Sequence, residues 1–208
     1  MFEIRQCTHP ECHLRLPIDP AVHRGAFCPR CGAPMTRVTA AFQHRQTAGK
    51  VNPKREVRVL LDNIRSAYNT GAIFRTADGL GAVHLYLCGI TPNPDENSAL
   101  QKTALGAEVE IPWSAHLDAL ALGQVLQAQG YRLLALETTP ESQPIFGLDL
   151  SNLDPQPILL VLGNEQAGVD PGLLALCEHV VSIPMVGFKA SLNVGVAFGI
   201  AAYWLAFA

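Results

Sequence analysis

An α/β domain built on a largely parallel sheet with flanking helices, preceded by a small zinc ribbon, is the fold class that this sequence predicts. Three observations predict it. From Val57 onward, short apolar runs alternate with helix-like stretches. Four of the six cysteines fall within the first 31 residues. Charge divides at nearly the same place: residues 1–58 carry ten Lys/Arg and four Asp/Glu (+6), and residues 59–208 carry five and fourteen (−9). At 49% hydrophobic and 16% charged, the chain has too much apolar side chain to be disordered or collagen-like. A net charge of −3 excludes a uniformly basic coat protein. The basic arm on an acidic body points to a polyanionic partner for the arm.

Residues 1–33 contain no long apolar run, and Pro10, Pro17, Pro20, Gly25, Pro29 and Gly32 break any helix. Such a segment needs a staple. Cys7-x4-Cys12 and Cys28-x2-Cys31 supply two pairs suited to tetrahedral structural Zn2+, which asks for four soft ligands. The first pair is wider than usual, so His9 or His13 stays open as a replacement for one of its cysteines. A deaminase-like catalytic zinc fits less well, because four protein ligands leave no position for water. The start Met-Phe-Glu-Ile-Arg lacks a signal-peptide pattern, so a cytoplasmic location and thiolates rather than disulfides are expected. Residues 34–56, interrupted by Pro34, Gly49 and Pro53, read as a basic linker, and residues 57–208 as the main domain.

In that domain the runs Val57–Leu61, Val83–Leu87, Tyr131–Leu136, Ile158–Leu162 and Val180–Ile183 have the length of buried strands. Helices are expected at Thr70–Leu80, Ser98–Leu105, Ala115–Gln129 and Pro171–Cys177. Residues 190–208 carry no charge, which is long enough to consider a membrane span. Ser191, Asn193 and several small residues dilute it, so a buried or dimer-interface helix and no membrane are predicted.

Three segments place polar groups at strand ends. In Asp62–Thr76, Asn69 is a candidate helix cap, and Arg75 either pairs with Asp62 or Asp78 or binds a phosphate or developing oxyanion. In Leu160–Val169, Gly163 and Gly168 bound a turn whose backbone can approach a ligand, and Glu165 either caps that turn or acts in the site. In Ile183–Asn193, Ser191 is a natural N-cap, and Asn193 inside an apolar helix needs partners.

Together these segments closely resemble the motifs of the SpoU/TrmH-type branch of the SPOUT RNA methyltransferases. The likeness covers about residues 57–206. It rests on Asn69 with Arg75 six later, on Gly163-Asn-Glu165-x-x-Gly168, and on Ile183-Pro-Met185 followed by Ser191-Leu-Asn193. The resemblance implies a trefoil-knotted sheet, a homodimer, S-adenosylmethionine (AdoMet) as methyl donor, and the 2′-hydroxyl of a ribose in tRNA or rRNA as acceptor. It implies a cofactor seat near Thr138, Gly163, Ile183, Met185 and Leu192, and catalytic or substrate-binding positions at Asn69, Arg75, Glu165, Ser191 and Asn193. The ribbon then stands where relatives carry an RNA-binding extension. A non-catalytic RNA-binding or ribosome-associated protein on the same scaffold is the alternative.

Overall fold

The computed structural model describes residues 1–42, 51–153 and 155–208. The chain divides into two compact units, Met1–Val51 and Asn52–Ala208.

The first unit is a three-stranded antiparallel sheet of β1 (Glu3–Cys7), β2 (Arg15–Ile18) and β3 (Met35–Ala40), in the order β2-β1-β3. Its apolar centre is small: Cys7, Ile18, Cys28 and Met35. Strand β3 corrects the expected boundary at residue 33, because residues 35–40 complete the ribbon sheet instead of starting a linker. Only Met35 of that strand is buried, so its sequence lacks an apolar signal. Residues 43–50 of the expected linker lie outside the described residues.

The second unit holds a seven-stranded sheet whose pairings are all parallel. Its strands are β4 (Val57–Asp62), β5 (Leu85–Cys88), β6 (Trp113–His116), β7 (Arg132–Leu136), β8 (Gln143–Pro144), β9 (Ile158–Leu162) and β10 (His179–Ser182). They run in the order β6-β5-β4-β9-β7-β10-β8. The five predicted strands form within two residues of the expected bounds. β9 is buried along its whole length, as a central strand of a parallel sheet covered on both faces must be.

Side-chain alternation sorts the core into two layers. Val57, Val59, Leu61, Leu134, Leu160 and Leu162 face one side, packed with α1 (Ala67–Leu80), α2 (Gln101–Ala104), α3 (Ala107–Glu110) and α6 (Val194–Phe207). Leu60, Leu133, Ala135, Leu159 and Val161 face the other, under α4 (Ala119–Ala128) and α5 (Pro171–Leu176).

β10 lies between β7 and β8, within the excursion that residues 137–157 make on the way from β7 to β9. Residues Ile145, Leu148, Leu150 and Leu153 of that excursion share a layer with α6. This is the threaded order that the resemblance implies, an exception to the usual avoidance of knots. The uncharged carboxy-terminal stretch is a buried helix, and no helix among the described residues is long and apolar enough to cross a membrane.

Candidate active site

A cavity of about 500 Å3 opens outside the carboxyl ends of β7, β9 and β10. Parallel α/β sheets place ligands there, because diverging loops leave a crevice at strand ends. Nine residues expected in the site line it: Asn69, Thr138, Gly163, Glu165, Ile183, Met185, Ser191, Leu192 and Asn193. Arg75 does not. It lies exposed on α1, six residues beyond Asn69, which on a helix is a different face. The expected structural pairings of Arg75 do not form. Asp62 is buried and accepts instead from Asn63 Nδ2 (2.7 Å) and the Asp170 backbone N–H (2.8 Å). Arg75 makes no hydrogen bond or ion pair among the described residues, Asp78 included.

The turn after β9 is built by backbone contact. Asn164 and Gly168 bridge each other (3.0 and 2.9 Å), and Gly168 takes a positive φ of 76°. A Cβ on Gly163 would lie 2.2 Å from Gly168 C and Val169 N, so no side chain fits there. The Asn164 amide accepts from Gln166 and Ala167 N–H, and donates to Asn63 O at 2.7 Å. Asn164 and Glu137 both line the cavity, and the sequence reading missed both. Glu137 accepts from the Thr138 N–H (2.9 Å) and the Val169 N–H (3.0 Å), tying β7 to the turn. The sequence signal for it was a carboxylate immediately after a buried strand.

Glu165 reaches across the chain and does not cap its own turn. Its carboxylate accepts from Arg65 N–H (2.9 Å), Ser66 N–H (3.2 Å) and Asn69 Nδ2 (2.8 Å). Burial pushes the carboxyl up, but these donors outweigh it and hold Glu165 below the usual glutamate value. Asn69 Oδ1 in turn accepts from Asn193 Nδ2 at 3.0 Å. The three motif segments are therefore joined by one polar chain, Glu165–Asn69–Asn193.

Both expected caps shift. Ser66, not Asn69, caps α1, its Oγ accepting from Asn69 N–H (3.3 Å). That frees the Asn69 amide for Glu165 and Asn193. Asn193, not Ser191, caps α6, its Oδ1 accepting from Gly195 and Val196 N–H (3.0 and 3.4 Å). Asn193 thus finds its partners by ending a loop instead of sitting inside a helix. Ser191 stays exposed in the cavity wall with no partner among the described residues.

Glu137 and Glu165 are the charged side chains of the wall among the described residues. Two carboxylates without a cation suit a ligand that carries positive charge.

In the first unit the sulfurs of Cys7, Cys12, Cys28 and Cys31 lie within 4.8 Å of one another, with Cys7–Cys31 at 3.4 Å and Cys12–Cys28 at 3.8 Å. A tetrahedron of thiolates about 2.3 Å from zinc has edges of about 3.8 Å, so this donor set fits the ion. Neither His9 nor His13 joins the cluster; His9 Nδ1 accepts from the Glu11 N–H (3.2 Å).

A parallel α/β sheet with a cation-seeking cavity at its carboxyl edge defines a small-ligand-binding protein of the α/β class. Comparison narrows this. The model of the SpoU rRNA Methylase family matches residues 56–203. The tRNA (guanosine(18)-2′-O)-methyltransferase of Aquifex aeolicus is 28% identical over 155 residues, which is 72% of this chain and 68% of that protein. The 23S rRNA (guanosine-2′-O-)-methyltransferase RlmB of Ralstonia nicotianae is 31% identical over 142 residues, 68% of this chain and 55% of its own length. The AdoMet-bound rRNA methyltransferase from Sinorhizobium meliloti superposes with a TM-score of 0.66 at 29% identity, over 74% of this chain and 57% of that one. The match therefore spans between about half and two thirds of these relatives. The chain belongs to the SpoU rRNA methylase family.

Proposed function

We propose that the protein transfers a methyl group from AdoMet to the 2′-hydroxyl of a ribose in tRNA or rRNA. The observation that carries this reading is the convergence of Asn69, Glu165, Ser191 and Asn193, from three separate segments, on one cavity in a member of this family. The cavity volume, the two carboxylates and the missing Cβ at Gly163 support a seat for a ligand bearing sulfonium and ammonium charge. When bound, AdoMet supplies a methyl carbon already activated for in-line displacement.

The remaining difficulty is the weakly acidic ribose hydroxyl. Arg75, protonated at any working pH, stabilises the charge that develops on that oxygen and grips an adjacent phosphate. Glu165 is a clamp: with three donors on its oxygens and a lowered pKa, it is a poor proton acceptor. The proton is assigned to a substrate phosphate oxygen. Ser191 offers a free hydroxyl to the substrate, and Asn193 orients Asn69.

The four cysteines of the first unit are proposed to hold one structural zinc, which requires a thiol-preserving compartment such as the cytoplasm. The ribbon is proposed to grip RNA. A homodimer is proposed on the apolar groove of Phe146, Ile200, Tyr203, Trp204 and Phe207, where the buried Trp204 Nε1 lacks a partner among the described residues. A second copy of this uncharged helix is the complementary occupant.

Titration calorimetry with AdoMet, S-adenosylhomocysteine and ATP tests the reading. Selective binding near one site per chain, followed by 2′-O-methyl mapping of total RNA, is the expected result. A folded, metal-loaded protein that binds no AdoMet, with or without RNA, transfers the reading to the non-catalytic RNA-binding alternative.

A further inference from the structure

We propose that the β2–β3 loop of the first unit is a stacking contact for an unpaired nucleotide of RNA, with Phe27 as the platform and Arg24 and Arg30 on its flanking phosphates. The proposal deepens the RNA reading above and rests on it.

Phe27 is held rigidly. It bridges Pro34, and on either side of it Met35 N–H donates to Ala26 O (2.9 Å) and Cys28 N–H donates to Ala33 O (2.8 Å). Cys28 is buried towards the sulfur cluster, so alternation turns Phe27 the other way. Its ring is 70% exposed and Val22 on the same loop is 71% exposed. A ring fixed at the backbone and uncovered by its own chain loses little freedom on stacking.

Charge selects the partner. Among the carboxylates of this unit, Glu3 already holds Arg5 (2.5 Å) and Arg37 (3.0 Å), and Asp19 accepts from Ala21 N–H (3.1 Å) and faces the amino terminus (3.6 Å). Arg15, Arg24 and Arg30 make no ion pair or side-chain hydrogen bond among the described residues. Two free guanidiniums thus sit three residues to either side of an exposed ring. Phosphate neutralisation and base stacking are the two terms by which single-stranded nucleic acid is held. A duplex hides its base faces, so the ligand is an unpaired nucleotide.

Anisotropy of the full chain tests this, using a labelled single-stranded RNA of about 12 nucleotides and a duplex of equal length. Phe27→Ala is expected to weaken single-strand binding by roughly five- to a hundredfold with an unchanged salt slope, and Phe27→Trp to restore it. Duplex binding and the melting temperature stay as in the parent. Arg24→Ala with Arg30→Ala lowers the salt slope by about 2. Unchanged single-strand affinity in Phe27→Ala overturns the proposal and assigns the ring to a protein partner. Equal losses on both probes, or no rescue by tryptophan, overturn it as well. AdoMet affinity, measured on the same proteins, reports separately on the methyltransferase reading.

Discussion

Gly163→Ala isolates the geometry on which the cavity depends. The added methyl would meet two backbone atoms of the same turn at 2.2 Å, and neither can rotate away as a side-chain end would. Overpacking of a tight site costs about 1–3 kcal/mol. Here the clash is with main chain on both atoms, so the upper figure applies. For a unit of this size, about 3 kcal/mol lowers the melting temperature by roughly 6–12 °C. The strain also displaces the 164–168 bridge and Glu137, so AdoMet affinity falls by at least about a hundredfold, the scale of losing an oriented set of polar contacts. Gly187→Ala is the control. Gly187 lies in the loop that forms another wall of the cavity, but its Cβ would meet nothing within 4 Å and its φ is not positive. That variant keeps its melting temperature or gains slightly, through a stiffer unfolded chain. Scanning calorimetry and AdoMet titration of the pair decide the matter. A Gly163→Ala protein that melts within about 2 °C of the parent and binds AdoMet normally refutes the close-approach argument.

Four further outcomes follow from the same contacts. Arg75→Ala lowers methyl-transfer kcat by about 100- to 1000-fold while AdoMet affinity stays unchanged, because the guanidinium does not line the cavity; normal turnover by Arg75→Lys removes the bidentate role. Glu165→Gln is less stable than the parent at neutral pH, and the gap closes as pH falls below 4.5, because a carboxyl held under its ordinary value stabilises only while ionised. His84, lowered by burial and then by Arg58 and His116, works in the same direction: the stability it contributes is complete above pH 6.5 and is lost as pH falls from there, so His84→Gln flattens the melting-temperature profile in that range. Zinc chelation, or Cys31→Ser, melts the first unit and weakens RNA binding, whereas AdoMet binding by the second unit persists.

The apolar strands were legible because burial on both faces leaves an uninterrupted run of Ile, Leu and Val, as in Ile158–Leu162. β6 was not. Trp113–His116 is an edge strand with no fully buried residue, and the sequence reading merged it into a helix that begins only after the Asp118 cap. The helix expected at Ser98–Leu105 shrinks to Gln101–Ala104, because Leu105 turns to a positive φ of 53°. Strands β1 and β3 escaped notice since a unit whose apolar centre is two thiols, Ile18 and Met35 needs little apolar sequence. The site residues were legible as types at strand ends, but their partners were not. Glu165 meets Arg65, Ser66 and Asn69 about a hundred positions away, a pairing that exists only once β9 has been placed beside β4.

That placement also explains how the labour of the proposed reaction divides. The wall supplies carboxylates, backbone and amides, which suit a cationic donor and offer nothing to a polyanion. Of the five cations in residues 59–208, Arg132 is paired to Glu178 and Arg65 is bonded to Gln166. Arg75, Lys102 and Lys189 remain for RNA, on a body whose net charge repels it. The free guanidiniums of the first unit, Arg15, Arg24 and Arg30, are as numerous as these and sit on a part of the chain with few competing carboxylates. Affinity for RNA therefore resides mainly in the ribbon, and chemistry in the body. Cutting the chain between the two units should leave AdoMet affinity intact and depress RNA affinity steeply, with a lower salt slope. An isolated body that retains the full salt slope would show instead that the acidic domain finds its phosphates through Arg75 and its neighbours alone.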